Sequence, residues 1–468
     1  MHLGRTSAAA AALVLVQILT LGSVRSQSLE EALDEAYTNN PQLLAERAHL
    51  RSTDEDVPIA LANWRPVVQL NAGAGYQHIS TPVDTLPGDL KLLVSQGDQE
   101  ALANNLGISI SQPIYRGGRT IGQTAQAEAA IASERAHLIS VEEAVFFAVV
   151  QAYLDCVRDQ LLVDLAGENE RAMSALLKAI QAQARIGTLT QTDLAQAEAQ
   201  YNAAVGSRHQ VEGALKASRN NFQRAVGRVP AKLSAPNLRP AIPKTRESAL
   251  ELTARNNPGV IAAAFAEQAG AKAIEVVRGQ LLPTVSVVGD YNSSSEVLVH
   301  GTGKLTTLDR SLMAQLSMPL YEGGAVYAQT RQAEENLGQL KHQTDDARSA
   351  AVQAAAQAWD GMEATRTIRN DLSETIKSAQ KAFTGMQYEQ RVGARSITDV
   401  LATGQSLYAY QGNQANAEHD FVLAQFNLAE QLGNLTAANL KLKVPLYDVD
   451  RHYQEVREKW FGFGSGKE

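Results

Sequence analysis

Four stretches of the chain alternate apolar residues with small or polar ones at a period of two. In the first, Val68, Leu70 and Ala72 would share one side of a strand, and the residues between them would face the other way. Such alternation predicts strands with one apolar face and one small-polar face. Loops rich in Pro, Gly, Ser and Asp would join the strands at 78–104 and 293–308. The predicted strands span about 67–79, 105–115, 284–294 and 309–320.

Much of the remaining chain consists of helix-favouring residues without proline. No proline lies between Pro113 and Pro230 or between Pro319 and Pro445, and both intervals are rich in Ala, Gln and Glu. These intervals predict very long helices. A helix over residues 119–185 would extend for about 100 Å. Apolar residues at spacings of three and four are typical of a coiled-coil seam, and one face of an ordinary amphipathic helix gives the same stripe. The helix lengths favour the seam.

Three motifs occur twice, which indicates an internal duplication. They are RIGTLTQTDL (185–194) with RVGARSITDV (391–400), SQPIYRGG (111–118) with SMPLYEGG (317–324), and NNP at 39–41 and 256–258. The first two pairs are 206 positions apart and the third pair is 217 apart, so the first half carries 11 extra residues. The chain is therefore predicted to be a tandem repeat of one structural unit.

The duplication divides the chain into five predicted parts. These are a leader at 1–26, a first repeat at 27–228 with a tip turn at 186–191, a linker at 229–247, a second repeat at 248–433 with a tip turn at 392–397, and a tail at 434–468. The linker holds four prolines, which is typical of an extended connection between repeats.

The leader has the pattern of a secretory signal peptide. Arg5 precedes an apolar run over 8–21, and Val24 and Ser26 fit a cleavage site before Gln27. A retained signal anchor is the alternative. No cysteine lies near the cleavage site, which excludes a lipid anchor on a cysteine there. After the leader we expect no apolar run that spans a bilayer as a helix.

An exported chain of this kind would cross a membrane with its strands. On the strand pattern alone, a sheet packed on a soluble core and a transmembrane barrel with a wet lumen both remain open. The export signal and the flanking helices favour the barrel. Four strands cannot close a barrel, because the smallest known kind has eight. A barrel would therefore be shared between chains, and three chains would supply twelve strands.

Composition and motifs argue against an enzyme and against nucleic-acid binding. The formal net charge of −8 does not suit a nucleic-acid groove. The nine histidines are scattered, and the sequence contains no HExxH motif and no Cys/His cluster of metal-site spacing. The single cysteine, Cys156, lies in apolar helical sequence, where a small buried thiol is expected. We expect no catalytic residue, cofactor or metal.

The leader, the duplicated half, the strand pairs between long helices and the paired turns together resemble the TolC family of outer-membrane channel-tunnels for efflux and type I secretion. The most specific motifs are QPIYRGGR with MPLYEGGA and RIGTLTQTDL with RVGARSITDVL, and the resemblance covers about 28–445. It implies a mainly α chain that gives four strands to the 12-stranded transmembrane β-barrel of a homotrimer. This barrel would continue into a long periplasmic α-helical barrel, with the linker and tail around the middle of the tube.

The same resemblance implies a location and partners. The protein would lie in outer-membrane lipid and extend into the periplasm. It would dock with a periplasmic adaptor (membrane fusion) protein and an inner-membrane transporter of RND or ABC type. Energy would come from that transporter, so the chain itself would be a passive conduit.

The resemblance also places the two turns at the periplasmic mouth of the tube. In the family an aspartate after the first turn and an arginine after the second hold the mouth closed, and the matching residues are Asp193 and Arg395. Gln390 replaces a tyrosine of that network, and Ala402 replaces the second of two pore-facing aspartates, so the gate is expected to be altered. The implied gate residues are Thr192, Asp193, Gln390, Arg395 and Asp399. On the residues alone, the same charges fit the solvated end of a coiled coil, where an exposed pair contributes roughly 0–1 kcal/mol.

Two further sets of residues mark changes of chain direction. The tip turns contain Arg185, Gly187, Arg391 and Gly393. The strand–helix junctions contain Pro113, Gly117, Gly118, Pro319, Gly323 and Gly324. Glycines at such points allow left-handed backbone conformations that close tight turns.

Two other classes of protein compete with the channel. A secreted coiled-coil structural or adhesive protein would explain the helices but not the four alternating strands. A periplasmic adaptor would explain one long helical hairpin but not a duplicated strand–helix unit. The absence of a lipid-anchor cysteine leans toward the secretion-type channels, and nothing in the sequence identifies the cargo, the transporter or the adaptor.

Overall fold

The structure is a computed structural model, and it describes residues 27–79, 99–187, 189–299 and 303–464. The predicted leader and most of the predicted loop 78–104 lie outside these residues. In chain order, the elements are α1 (Leu29–Asn39), α2 (Pro41–Asp54), α3 (Asp56–Ala62), β1 (Val67–Ile79), β2 (Gln99–Arg116), α4 (Arg119–Arg185), α5 (Gln191–Val226), α6 (Arg246–Asn256), α7 (Pro258–Arg278), β3 (Thr284–Leu298), β4 (Lys304–Ser317), α8 (Ala325–Arg391), α9 (Ile397–Gln431) and α10 (Arg451–Arg457).

The elements repeat, as the sequence predicts. Each half runs through helices, a pair of strands, one very long helix and one shorter helix. The very long helices α4 and α8 both contain 67 residues, and their successors α5 and α9 contain 36 and 35. The mainly helical, duplicated architecture is confirmed.

The described chain divides into two compact units. The first comprises residues up to 49, 135–261 and 346–448, and the second comprises 50–134, 262–345 and the residues from 449 onward. Both of the 67-residue helices contribute to each unit.

The first unit has an aromatic core around α4. Tyr37 of α1 contacts Phe146 of α4, with ring centroids 6.1 Å apart, and Tyr153 of α4 contacts Phe222 of α5 at 6.3 Å. All four side chains are buried. The phenol of Tyr153 donates to the carbonyl of Ser234 at 2.7 Å, so the linker between the two repeats is attached to this core.

One window of α4 is apolar enough to pass a composition test for a membrane-spanning helix. The expectation that no run after the leader is apolar enough was therefore wrong. Half of that window is buried inside the protein. Residues such as Phe146, Val149 and Val150 are fully buried in the core, which explains the composition of the helix without a membrane.

The second unit contains an antiparallel sheet in the order β1-β2-β3-β4. Residues that lie directly opposite one another share a face. Leu70, Ile108 and Tyr291 form one cross-strand row, and the adjacent row contains Ser109 and Asp290 on the opposite face. The apolar and polar faces predicted from the period of two therefore continue across β1, β2 and β3. In β4, Arg310 lies opposite Tyr291 on the same face, and Leu312 lies opposite Gly289.

The strands extend beyond their predicted ends on the hairpin side. Residues 99–104, 295–298 and 304–308, which lie beyond the predicted strand ends, are paired strand residues. Their Ser, Thr and Asn side chains suggest loops, but polar residues are tolerated on a strand whose backbone groups are paired. β4 ends at Ser317 rather than at 320, since Pro319 lacks the N–H that a further ladder bond needs.

The predicted tail, 434–468, is divided between the two units. Its first part, to residue 448, belongs to the first unit, and its described remainder belongs to the second. There Nδ1 of His452 lies 3.0 Å from Oδ2 of Asp54, and Nη1 of Arg65 donates to the carbonyl of Lys459 at 2.7 Å. The end of the tail thus lies beside the residues that lead into β1. The predicted placement of the tail around the middle of the tube stays a prediction.

Candidate functional site

The first tip turn joins α4 to α5 through a left-handed glycine. Gly187 has φ +79° and donates its N–H to the carbonyl of Ala184 at 3.1 Å. Thr190 then caps α5, and its hydroxyl accepts from the N–H of Asp193 at 3.2 Å. Oδ2 of Asp193 accepts in return from the N–H of Thr190 at 3.0 Å and from its hydroxyl at 2.7 Å. These bonds from Thr190 lower the pKa of Asp193 below its ordinary value, so the carboxylate is a stable anion.

The second tip turn, between α8 and α9, is built in the same way. Gly393 has φ +77°, and Ser396 caps α9 with its hydroxyl accepting from the N–H of Asp399 at 3.2 Å. Oδ2 of Asp399 accepts from the N–H of Ser396 at 3.2 Å. The pKa of Asp399 is lowered, first by hydrogen bonds from Ser396 and further by the charge of Arg395. Each tip therefore carries a reciprocal capping box with a fixed carboxylate.

Arg395 contacts an acidic partner within its own tip. Its Nε lies 3.1 Å from Oε2 of Glu389, the residue before Gln390, and both charged side chains are about half exposed. Oδ2 of Asp193 is occupied by Thr190. The predicted pairing of Asp193 with Arg395 stays a prediction, since the contacts just described are local to each tip.

The helices behind the two tips pack against each other. Ile397, at the start of α9, is buried with Ile180 of α4 and Ala197 of α5. Farther from the turns, Leu401 is buried with Met173 and Ala204. These clusters bring the start of the helix behind the second tip onto the helices of the first. Ala197 and Ala204 of α5 and Leu407 of α9 are buried as well, as a seam between helices requires.

Three residues of this site were missed by the sequence reading. Thr190 and Ser396 are the caps, and each starts a T-x-x-D or S-x-x-D pattern that signals a helix N-terminus. The pattern marks the start of α5 and of α9 in the sequence itself. Glu389 carried no such signal, because its contact with Arg395 depends on how the turn folds.

The strand–helix junctions also repeat. Gly117 and Gly118 follow β2 with φ of +64° and +74°, and Gly323 and Gly324 precede α8 with φ of +63° and +81°. All four occupy the left-handed region that favours glycine. Gly117 has a second constraint, because a Cβ there would lie 2.3 Å from the carbonyl oxygen of Gly279.

The two junction prolines behave differently. β2 continues past Pro113 with a bulge between Pro113 and Tyr115. Pro113 is tolerated there because the ladder with β1 ends at Ser111, so the missing N–H interrupts pairing on one side only. Pro319 lies two residues beyond the end of β4.

These features define a class of protein. An antiparallel sheet with an exposed apolar face, joined by glycine junctions to hairpins of very long helices, is the architecture of a membrane channel that continues as a helical tunnel.

Comparisons with known proteins agree with this class. The sequence profile of the outer membrane efflux protein family matches residues 32–228 and 249–434. Outer membrane efflux protein BepC of Brucella suis biovar 1 is 30% identical over 454 residues, which cover 97% of this chain and 96% of BepC. Outer membrane protein TolC of Vibrio cholerae is 24% identical over 428 residues, covering 89% and 93%. Among solved structures, the CmeC outer membrane channel of Campylobacter jejuni superposes with a TM-score of 0.74 at 14% identity, covering 93% and 90%.

The chain belongs to the outer membrane efflux protein family. It is an outer-membrane export channel that extends into the periplasm. Other relatives include the alkaline protease secretion protein AprF of Pseudomonas aeruginosa, which is 23% identical over 393 residues, covering 81% of this chain and 78% of AprF.

Proposed function

We propose that three copies of the chain close a 12-stranded barrel and form a passive duct, through which an inner-membrane transporter and a periplasmic adaptor export their cargo. The observation that carries this proposal is the open sheet. In the described residues of one chain, β1 and β4 each pair on one side only. Such edges favour pairing with another copy. Three four-stranded sheets exceed the eight strands that a membrane barrel needs.

The exposed apolar face supports the same assembly. Leu70 of β1 is 68% exposed and Leu312 of β4 is 79% exposed. Both side chains belong to the apolar face of the sheet. Such a face is stable in contact with lipid, while the polar rows opposite it would line a wet lumen.

The duct needs no chemistry of its own. We infer that the chain is not an enzyme and holds no cofactor, and that the transporter supplies the energy for export. The tips offer a surface for the adaptor, because Ile186 and Val392, which correspond in the duplication, are 75% and 63% exposed. In an assembly of several copies these equivalent turns would repeat around the mouth and present the two apolar side chains together.

The gate we propose is a contact between Asp193 and Arg395 at the mouth. The bonds within the first tip use Oδ2 of Asp193, which leaves Oδ1 as a second acceptor. Arg395 contacts Glu389 through Nε, and a guanidinium presents five N–H donors, so it can serve two carboxylates. Glu389 would then compete with Asp193 for the arginine. Asp399 would add negative charge to the constriction and favour the entry of cations.

Single-channel conductance in planar bilayers tests the duct and the gate together. We expect small, cation-preferring steps from the wild type and larger steps from Arg395→Ala. Glu389→Gln should lower the conductance below the wild-type value, because it leaves Arg395 free to contact Asp193. Arg391→Ala removes another exposed tip arginine and serves as the matched control, with conductance near the wild-type value.

The outcomes separate the two parts of the proposal. A pore whose conductance is the same in Arg395→Ala and the wild type would refute the gate and keep the duct. A folded trimer that conducts no ions in any variant would refute the duct.

A further inference from the structure

The last described residues of the chain carry a cluster of exposed aromatic side chains. Trp460 is 56% exposed, Phe461 is 87% exposed and Phe463 is fully exposed. The rings of Trp460 and Phe461 lie 6.5 Å apart between centroids. An aromatic side chain carries a large apolar area, and three of them in a sequence of four residues are costly in water. This aromatic end therefore calls for a partner that covers it.

The aromatic end is held to the start of the sheet. Arg65 donates through Nη1 to the carbonyl of Lys459 at 2.7 Å, and its guanidinium carbon lies 5.0 Å from the ring centroid of Trp460. Arg65 is two residues before Val67, the first residue of β1. The contact with Trp460 is a cation–π interaction, which orients the indole against a fixed point of the chain. The position of the aromatic end is thus set by the first strand.

A second contact locates this place on the sheet. The carbonyl of Trp64 accepts a hydrogen bond from Nε2 of Gln112 at 2.8 Å, near the end of β2 that leads into α4. Trp64 itself is 44% exposed. The aromatic end therefore lies at the end of the sheet where β2 leads into α4. The hairpin turns lie at the other end of the strands.

The composition of this place is that of a membrane interface. Aromatic residues concentrate at the boundary between headgroups and acyl chains, and arginine and lysine accompany them because their charges remain in the headgroup layer. Here Arg65, Arg457 and Lys459 accompany the aromatic end. Water would not stabilise the exposed rings, and their position at the end of the predicted membrane-spanning sheet favours lipid over a protein partner.

We propose that Trp460, Phe461 and Phe463 insert into the headgroup–acyl boundary of the periplasmic-side leaflet of the outer membrane, and that their occupant is phospholipid. The inference rests on the proposed function, because it needs the sheet to span the bilayer. The tail then acts as a second membrane contact outside the barrel.

Nitroxide labels on the trimer reconstituted in phospholipid vesicles test the proposal. Cys156 is first replaced by Ala, so that an introduced cysteine is the sole label site. The test position is Phe461→Cys, and the matched control on α10 is Gln454→Cys, whose side chain is also exposed. A third label at Leu312→Cys reports whether the apolar face of β4 lies in the bilayer.

The expected result is a severalfold higher ratio of collisions with oxygen to collisions with a water-soluble nickel chelate at residue 461 than at residue 454. Residue 312 should show an even higher ratio. A high ratio at 312 with a 461 ratio equal to that of 454 would overturn the inference while the duct remains. A low ratio at 312 would contradict the membrane-spanning sheet itself.

Tryptophan fluorescence gives an independent readout that needs no label. The chain has three tryptophans, and Trp64→Phe with Trp359→Phe leaves Trp460 as the only one. Phospholipids brominated near the headgroup should quench Trp460 strongly. A variant that retains only Trp359, which packs against a buried cluster around Met362, should be insensitive to these lipids. Quenching of Trp460 by aqueous acrylamide alone would show a solvated tail, and quenching by neither agent would show cover by another copy; both results contradict lipid contact.

Discussion

The imidazole of His419 on α9 lies between two carboxylates, with Nε2 3.0 Å from Oδ1 of Asp155 on α4 and Nδ1 2.8 Å from Oδ1 of Asp420. His419 is only 8% exposed. Burial alone would lower the pKa of His419, but the two carboxylates outweigh it and raise the pKa. Burial likewise would raise the pKa of Asp155, but His419 and Arg158 lower it. A charged pair therefore connects the first repeat to the second inside the first unit.

This pair predicts a pH-dependent effect of His419→Gln. The raised pKa of His419 stabilises the fold below about pH 6.5, and this contribution is lost as pH rises through the folded-state pKa. The lowered pKa of Asp155 adds stability above its ordinary value near 4, which is lost at lower pH. His419→Gln should therefore cost roughly 2 kcal/mol near pH 5.5 and clearly less at pH 9. The measurement is the free energy of unfolding in detergent at both pH values.

The exposed pair of His209 and Glu212 provides the matched control. Its atoms lie 3.5 Å apart, and the histidine side chain is 62% exposed. His209→Gln should change stability little at any pH, since exposed pairs contribute little. Equal losses from His419→Gln at pH 5.5 and pH 9 would contradict the charged-pair interpretation.

The carboxyl group of Glu143 is also buried, but its pKa is raised, whereas the pKa of Asp155 is lowered. Oε1 of Glu143 accepts from the N–H of Leu435 at 2.9 Å, which attaches the first part of the tail to α4. Burial, supported by the charges of Glu430 and Glu142, raises the pKa of Glu143 to about 8, although the bond from Leu435 opposes the rise. Burial also raises the pKa of Glu430 to about 7. Arg47 is the nearby cation, and it faces Glu142.

The folded protein thus holds protons that the unfolded chain releases above about pH 4.5. Stability should fall as pH rises from 4.5 toward 8, by up to roughly 1.4 kcal/mol per pH unit for each group. Glu143→Gln keeps an acceptor for Leu435 and cannot ionise, so its melting temperature should fall less between pH 5 and pH 8. The control is Glu251→Gln, an exposed pair with Arg255, which should keep the wild-type slope.

Gly117 and Gly323 offer a comparison within one chain, because the duplication makes them equivalent. Both have left-handed φ, +64° and +63°, so alanine costs about 1–2 kcal/mol at either place. Only at Gly117 would the new Cβ meet the carbonyl oxygen of Gly279, at 2.3 Å. A Cβ at Gly323 would have no described heavy atom within 4 Å other than those of its chain neighbours. Gly117→Ala should therefore lose far more heat-stable trimer on gels than Gly323→Ala, and equal losses would argue against the close approach.

The repeated NNP motif predicts two equivalent losses. The side-chain amide of Asn40 donates to the carbonyl of Ala225 at 3.0 Å, and that of Asn257 donates to the carbonyl of Gln431 at 3.1 Å. Each asparagine also caps the helix that follows it, for example by accepting from the N–H of Gln42 at 2.9 Å. Either alanine variant should lose about 1–2 kcal/mol.

Aspartate at the same two positions separates the two roles of the asparagine. It keeps the capping oxygen and removes the donor, so it should lose only part of the stability in chemical denaturation. A loss from Asn40→Asp as large as from Asn40→Ala would show that the cap contributes nothing.

The repeat offsets and strand faces were readable because both depend on local sequence. A constant separation between motifs such as those at Gly187 and Gly393 shows duplication directly, and alternation at Val68 and Leu70 shows the faces of β1. The burial of Cys156 was also predictable from its apolar neighbours, and it is confirmed at 4% exposure. In the structure burial raises the pKa of its thiol to about 12.

The remainder depended on contacts between distant residues. Nothing near Trp460 indicates that it packs on Arg65, since almost four hundred positions separate them. The acidic partner of Arg395 could not be separated from the other charges of the tip by spacing alone. The parts of β2 and β3 near the hairpin turns have the polar composition of loops, and only their pairing shows that they are strands.

The open edges of β1 and β4 have a consequence for how the protein is made. A single chain in the periplasm would expose two unpaired strand edges and an apolar sheet face, and both features promote aggregation. Folding of the sheet, meeting of the copies and insertion into lipid must then occur as one coupled event. A substitution that slows this event would leave more unassembled chains to be degraded by proteases, so fewer channels would form. Each channel that does form would conduct normally.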